Sequence, residues 1–193
     1  MTLDPSILAY PWIILGAVWL VAAASKKAAV ERQPWPGRIL YICIATLGFI
    51  LLAKASAAAL PGLEWLGLRF VPHTRAIFVI GFALEIAAAL FAVWARFTIG
   101  SNWSGQPSLM ANHELVTSGP YALARHPIYT GLIFAAAGTA LAVGKWRCVL
   151  GVVFVALAFL IKIQAEERFM MQAFADTYPA YRQRVKALIP GVF

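Results

Sequence analysis

Two short stretches hold most of the residues in this sequence that could do chemistry. The first, GSNWSGQPSLMANHELVTSGPYALARHPIYTG at 100–131, carries two of the three histidines, His113 and His126, with Glu114 beside the first and an Arg125-His126-Pro127 step near its end. The second is the adjacent pair Glu166-Glu167, with Lys162 one helical turn earlier. Imidazoles and carboxylates can move protons or hold a metal ion. The spacing disfavours a metal: His113 and His126 stand 13 positions apart, with no HxxxH or HxxE pattern on one helical face. Serine or cysteine nucleophile motifs and phosphate-cradling glycine loops are absent. The same stretch also reads as a plain interfacial loop, with Arg125 snorkelling and Trp103, Tyr121 and Tyr129 as aromatic anchors.

The elements that must position these residues are apolar. Of 193 residues 62% are hydrophobic, against only 16 Lys and Arg and 8 Asp and Glu, and the mean hydropathy is +0.77. A soluble domain of this length cannot bury so much apolar surface, so the natural solvent is a bilayer. The net charge of +8 does not indicate nucleic acid, because the basic residues sit between long apolar runs rather than on one aromatic-interleaved face. Three runs approach the length that crosses a membrane, Ile7 to Ala24, Ile39 to Leu60 and Ala76 to Ala95. Two shorter ones, Ile128 to Gly144 and Val149 to Ile163, are joined through Lys145-Trp146-Arg147 so tightly that they must form a helical hairpin. Pro34, Pro36, Pro61, Gly62 and Pro72 punctuate the intervals.

The expected fold is therefore all-α: a polytopic membrane protein with about five transmembrane helices. It forms a single membrane domain, with 1–97 as a three-helix part and 98–193 carrying the chemistry. Met1 to Tyr10 lacks the basic start of a cleaved signal, so the first run is read as a retained span. With the amino terminus outside, eleven basic residues, Lys26, Lys27, Arg32, Arg38, Arg96, Arg125, Lys162, Arg168, Arg182, Arg184 and Lys186, face the cytoplasm. Arg69, Arg75, Lys145 and Arg147 lie opposite, and the carboxyl terminus is cytoplasmic. A short chain of this kind is compatible with a bacterial inner membrane. Cys43 and Cys148 read as packing residues. Lys54 and Glu85, isolated within apolar runs, are expected to pair across the second and third spans. Beyond Ile163 the last helix is expected to continue with an apolar stripe of Met170, Met171, Phe174 and Tyr178 until Pro179 interrupts it.

The run HELVTSGPYALARHPIYTG, followed by Glu166-Glu167, Tyr178 and Tyr181, closely resembles the isoprenylcysteine carboxyl methyltransferase and phospholipid methyltransferase families over roughly 100–193. The resemblance implies an integral membrane enzyme that uses S-adenosylmethionine to methylate a lipid or lipid-modified acceptor, without a Rossmann-type domain and without a metal. Carried over by position, cofactor contacts would fall on Gln106, His113, Glu114, Leu115, Val116, Tyr121, His126, Pro127, Ile128, Tyr129 and Glu166. Leu115, Val116, Tyr121 and Tyr129 suit an apolar slot, and Glu166 suits a cationic or hydroxylated part of the cofactor. Lys162 and Arg125 would meet the acceptor, with Lys162, Glu167 and His126 as candidate catalytic groups.

One position departs from the resemblance. The isoprenylcysteine enzymes resemble one another in an arginine where this chain has Lys162, a point charge in place of a planar fork; Lys162 also reads as a snorkelling partner of Glu166 at i,i+4. The acceptor is then either a prenylcysteine-type carboxylate or a phospholipid amine, the latter needing a base such as Glu167 or His126. A sterol-reductase-like enzyme using NADPH and a non-enzymatic membrane scaffold are the alternatives.

Overall fold

The computed structural model describes residues 4–22, 29–53, 61–105, 107–110 and 114–192. Lys26, Lys27, Lys54, Gln106 and His113 lie outside the described residues.

A short 3-10 turn, Pro5–Leu8, is capped by Asp4, whose side chain accepts from the Ser6 amide at 2.9 Å, and leads into helix α1, Ala9–Ala22. Strand β1, Ala29–Arg32, precedes helix α2, Trp35–Ala53, and helix α3 runs over Arg75–Ile99. Thr74 caps α3 by accepting from the Ile77 amide at 3.2 Å. Strand β2, Ser108–Met110, lies before helix α4, Pro127–Val143, which is followed by helix α5, Trp146–Ala173, and helix α6, Tyr178–Arg184. The α4–α5 hairpin turns at Gly144, in the left-handed region with φ 70°, where its amide closes α4 on the Ala140 carbonyl at 2.8 Å.

Four stretches, Pro5–Ala22, Trp35–Ala53, Arg75–Asn102 and Trp146–Ala173, are long and apolar enough to cross a membrane; α4, at 17 residues, is shorter. At about 1.5 Å per residue α5 is roughly 42 Å long against a hydrocarbon core of about 30 Å, a surplus of about two turns. Glu166 and Glu167 lie at the start of its last two turns. Side chains such as Ile13, Leu20, Ile50 and Leu90 point outward from α1, α2 and α3, the pattern of a lipid-facing surface.

The helices meet through small residues, because lipid gives them no hydrophobic reason to associate and close backbone contact must do so instead. α3 and α4 run antiparallel with Gly81 against Gly138 and Ala142, and Gly131 against Ala88 and Ala92. A Cβ on Gly138 would stand 2.5 Å from the Glu85 amide nitrogen and 2.6 Å from the Gly81 carbonyl. Between α2 and α5 the same device uses Gly48 and Gly151. Glu85 is fully buried on the α3 side of the α3–α4 contact, beside Thr139, whose hydroxyl accepts from the Trp12 indole at 3.1 Å.

Several expectations need correction. Pro36 lies inside the first turn of α2 rather than before it, where its missing N–H costs nothing. α3 continues four residues past Ala95, to Ile99. The last helix ends at Ala173, ahead of Pro179, and Pro179 belongs to the first turn of α6. The fold is all-helical apart from an unexpected antiparallel ribbon, in which β1 pairs with β2 (Glu31 opposite Leu109, Arg32 opposite Ser108) and the Gln33 amide extends it to the Pro107 carbonyl at 3.0 Å. Two arginines expected as loop charges are buried instead. Arg147 donates to the Leu51 and Leu52 carbonyls at the end of α2, and Arg96 to the Ala22 carbonyl at 2.5 Å and the Gly100 carbonyl at 2.9 Å.

Candidate functional site

The entrance to α4 is where the polar residues converge. Gly119 takes φ 58° so that the chain can turn through the 3-10 segment Gly119–Ala122 and deliver Tyr121 inward. Arg125 and His126 then donate their amides to the Lys186 and Ala187 carbonyls at 2.8 and 2.9 Å, which pins the segment after α6 across the start of α4. Thr130 adds a hydroxyl bond to the Leu188 carbonyl at 2.8 Å. From the other side, Arg96 lies under the Trp103 ring, its guanidinium carbon 4.4 Å from the ring centre, and holds the 100–103 turn against α3.

These elements enclose a partly open cavity of about 840 Å³, its open mouth included. Of the residues singled out from sequence, Glu114, Leu115, Val116, Tyr121, Arg125, His126, Pro127, Ile128, Tyr129 and Glu166 line it. Gln106 and His113 fall outside the described residues, and Lys162 and Glu167 are not among the lining side chains. Asn102, Trp103 and Phe169 also line the cavity and were not expected there. Phe169 had a signal, since it lies at i+3 from Glu166 and so shares its face of α5. For Asn102 the only hint was a polar residue directly after an apolar run; its side chain accepts from the Glu114 amide at 3.3 Å.

Two carboxylate residues, Glu114 and Glu166, line the cavity, and Glu166 is the one held from several sides. Its Oε1 accepts from the Tyr129 hydroxyl at 2.6 Å and lies 3.8 Å from the Lys162 ammonium, and its Oε2 lies 3.5 Å from His126 Nδ1. The His126 and Tyr129 rings are parallel with centres 5.7 Å apart, and Tyr129 stacks in turn on Phe159 at 4.6 Å. Glu167 points behind this wall. Its Oε1 takes the Arg125 fork at 2.9 Å (Nε) and 2.5 Å (Nη2), and its Oε2 takes Arg182 Nε at 3.2 Å. The remaining Arg125 nitrogen donates to the Arg182 carbonyl at 3.1 Å and to the Val185 carbonyl. With Nε, Nη1 and Nη2 all engaged, the guanidinium positions other groups more than it offers itself to a ligand.

Burial on its own pulls the His126 imidazole down. Hydrogen bonding and attraction from Glu166 and Glu167 outweigh burial and hold its pKa above the ordinary value. Burial pushes the Tyr121 and Tyr178 hydroxyls well above the usual phenol range, and that of Tyr181 to about 12. The Tyr181 hydroxyl donates to the Tyr121 carbonyl at 2.6 Å. These phenols are neutral walls, not bases. Among the described residues no group of three His, Cys, Asp or Glu is arranged to take a metal ion.

A pocket with aromatic walls and a firmly held carboxylate suits a small molecule that combines a flat apolar part with a positive charge. Residues 79–172 match the model of the isoprenylcysteine carboxyl methyltransferase family. Over 117 residues the chain is 30% identical to a protein-S-isoprenylcysteine O-methyltransferase of Xenopus laevis, covering 59% of this chain and 41% of the relative. The same-named protein of Schizosaccharomyces pombe is 38% identical over 80 residues, 41% of this chain and 34% of the relative. Protein-S-isoprenylcysteine O-methyltransferase B of Arabidopsis thaliana is 28% identical over 166 residues, covering 76% and 79% respectively. The alignment thus spans well under half the length of the first two relatives.

Proposed function

We propose that the chain, whose residues 79–172 match the isoprenylcysteine carboxyl methyltransferase family, is a member of it and an integral membrane methyltransferase acting from S-adenosylmethionine on a lipid or lipid-modified acceptor. The observation that carries this reading is the cavity at the entrance to α4, whose walls include the ARHPIY run and Glu166. The cofactor supplies an electrophilic methyl group on a sulfonium centre, and the residues present fit it. Glu166, already oriented by Tyr129 and His126, offers a carboxylate to a cationic group. Tyr121 and Trp103 offer flat apolar surface, while the Glu114 to Val116 stretch brings backbone donors and acceptors to the cavity edge.

Methyl transfer of this kind needs alignment and exclusion of water more than acid–base work. Tyr129 and Ile128 on α4 and Phe169 on α5 exclude water, and the Arg125–Glu167 tie keeps the two helices in register. A carboxylate acceptor would need no base; an amine acceptor would need one, and since Glu167 is tied to Arg125 and Arg182 outside the cavity lining, His126 is the candidate that remains. All five apolar helices are proposed to span the bilayer, α4 included. The lysine and arginine count supports an amino terminus outside and a cytoplasmic carboxyl terminus, so the cavity opens on the cytoplasmic face.

Calorimetry on detergent-solubilised protein tests the reading. S-Adenosylmethionine or S-adenosylhomocysteine is expected to bind the parent, and His126→Ala and Glu166→Ala to lose that binding while staying folded. Absence of heat with either ligand on folded parent protein, or a preference for NADPH, would overturn it.

A further inference from the structure

Next to the Tyr129–Glu166 hydrogen bond stands a second polar cluster, contributed largely by α2, whose side chains are not among those lining the cavity. Lys162 is the link between the two. Its ammonium sits 5.3 Å from the Tyr129 ring centre and 5.9 Å from that of Tyr41, and donates to the Gly105 carbonyl at 2.9 Å. Tyr41 is buried, at 7% exposure, yet its hydroxyl reaches the Arg38 side chain and feels the Glu166 carboxylate. Arg38 is half-buried with its guanidinium 5.1 Å from the Trp35 ring centre, and its buried Nε has no hydrogen-bond partner among the described residues. A buried guanidinium N–H without an acceptor is costly unless something else supplies the acceptor. Arg38 and Tyr41 lie outside the matched residues 79–172.

We propose that Arg38 and Tyr41 of α2, together with Lys162 of α5, form a subsite for the anionic oxygens of the acceptor's head group, adjoining the cofactor cavity at the Tyr129–Glu166 pair. The inference rests on the functional reading above and deepens it. Lysine presents a point charge on a flexible stem, whereas arginine presents a planar fork that grips two oxygens at once. Here the fork comes from α2 and the point charge from α5, so an anion bridging them would sit across the α2–α5 seam. Glu166 is already held by Tyr129 and lies within 4 Å of His126 and Lys162, so it leaves both Arg38 and part of the Lys162 charge to be matched from outside. Exposed Trp35 and Ile42, at i−3 and i+4 from Arg38, share its face of α2 and give an attached apolar chain a surface that continues into lipid. The chemistry recognised is a pair of anionic oxygens, from a carboxylate or from a lipid phosphate.

The test measures binding of matched charged and neutral probes to the full-length protein in detergent. One arm compares S-farnesyl-N-acetylcysteine with its methyl ester, and the other compares dioleoylphosphatidic acid with dioleoylglycerol. At least one acid is expected to bind about tenfold or more tightly than its neutral partner, as loss of a charge-assisted contact would allow. The arm that shows this preference identifies the source of the oxygens. Arg38→Ala and Arg38→Gln should erase the preference, and adding Lys162→Arg to Arg38→Ala should restore it, while S-adenosylmethionine affinity stays unchanged in the Arg38 single variants. No acid preference in either arm, or a preference that survives Arg38→Ala, overturns the subsite. A parallel loss of cofactor affinity in both single Arg38 variants also overturns it, by making Arg38 structural. Failure of the parent to bind S-adenosylmethionine would instead sink the methyltransferase reading, with the acid preference still scored separately.

Discussion

Replacing Arg125 with alanine separates holding the site together from touching a ligand. The side chain is 8% exposed and its partner Glu167 11%, so the pair lies largely outside bulk water. Removing it deletes two nitrogen contacts to Glu167 and the donations to the Arg182 and Val185 carbonyls. Breaking a buried pair from one side costs about 3–5 kcal/mol. Glu167 keeps Arg182 at 3.2 Å, but that arginine is 54% exposed and repays little. The expected loss is therefore about 3 kcal/mol of unfolding free energy, near the low end of the range because Glu167 is not stranded. Arg125→Lys keeps a charge and loses the fork, so about half that loss is expected. Because Val185 precedes the Ala187 and Leu188 carbonyls that hold His126 and Thr130, cofactor affinity should fall in proportion to stability across the two variants. Equilibrium unfolding in mixed micelles and calorimetry on the same preparations provide the two readouts. The reasoning is refuted if Arg125→Ala unfolds within about 0.5 kcal/mol of the parent, the range of ordinary surface changes. It also fails if Arg125→Lys loses binding at full stability, since the guanidinium would then contact ligand directly.

Two further outcomes follow from the geometry. Because the folded-state pKa of His126 is raised, its stabilising contribution is fully present below the unfolded value of about 6.5 and is lost as pH rises through the higher folded value. Unfolding midpoints of the parent should decline over that window and those of His126→Gln should decline less; equal slopes would contradict the raised His126 pKa. Gly138→Val would place side-chain atoms where even a Cβ meets backbone at 2.5 Å, so α3 and α4 should part at a cost of about 1–3 kcal/mol, seen as lost monodispersity in size-exclusion chromatography. An unchanged elution profile and midpoint would show that the two helices do not depend on this contact.

The parts of this molecule written in local sequence were legible, and those written in distant backbone groups were not. The α4–α5 hairpin follows from one glycine between two apolar runs, and Glu166 stands near the end of a helix longer than a bilayer core. Ten of the expected site residues meet in one cavity because nearly all lie in 114–129, with Glu166 joining from the facing helix. The β1–β2 ribbon escaped notice because a four-residue strand has no periodicity to read, and its partner comes after two intervening helices. Trp103 looked like an interfacial anchor because nothing in its neighbours shows that Arg96, one helical turn and more before it, folds back beneath its ring. Counting Arg96 and Arg147 as loop charges failed for a related reason. An arginine near a helix end is exposed or buried according to whether carbonyls from another helix reach it, and that is a property of packing.

The buried arginines then account for where charge is free. Carbonyls at a helix carboxyl end lack intrahelical donors, and near a membrane water is a poor substitute. Arg147 supplies donors to the end of α2, Arg96 to the ends of α1 and α3, and Arg125 to the end of α6. Each guanidinium fits because it can serve several oxygens from one planar group. Those three charges are committed to backbone and, for Arg125, to Glu167, whereas His126 and Lys162 pair with Glu166 at the cavity and Arg38 stands beside Tyr41 on α2. Substitutions in the first set should therefore register in unfolding before binding, and substitutions in the second in binding before unfolding.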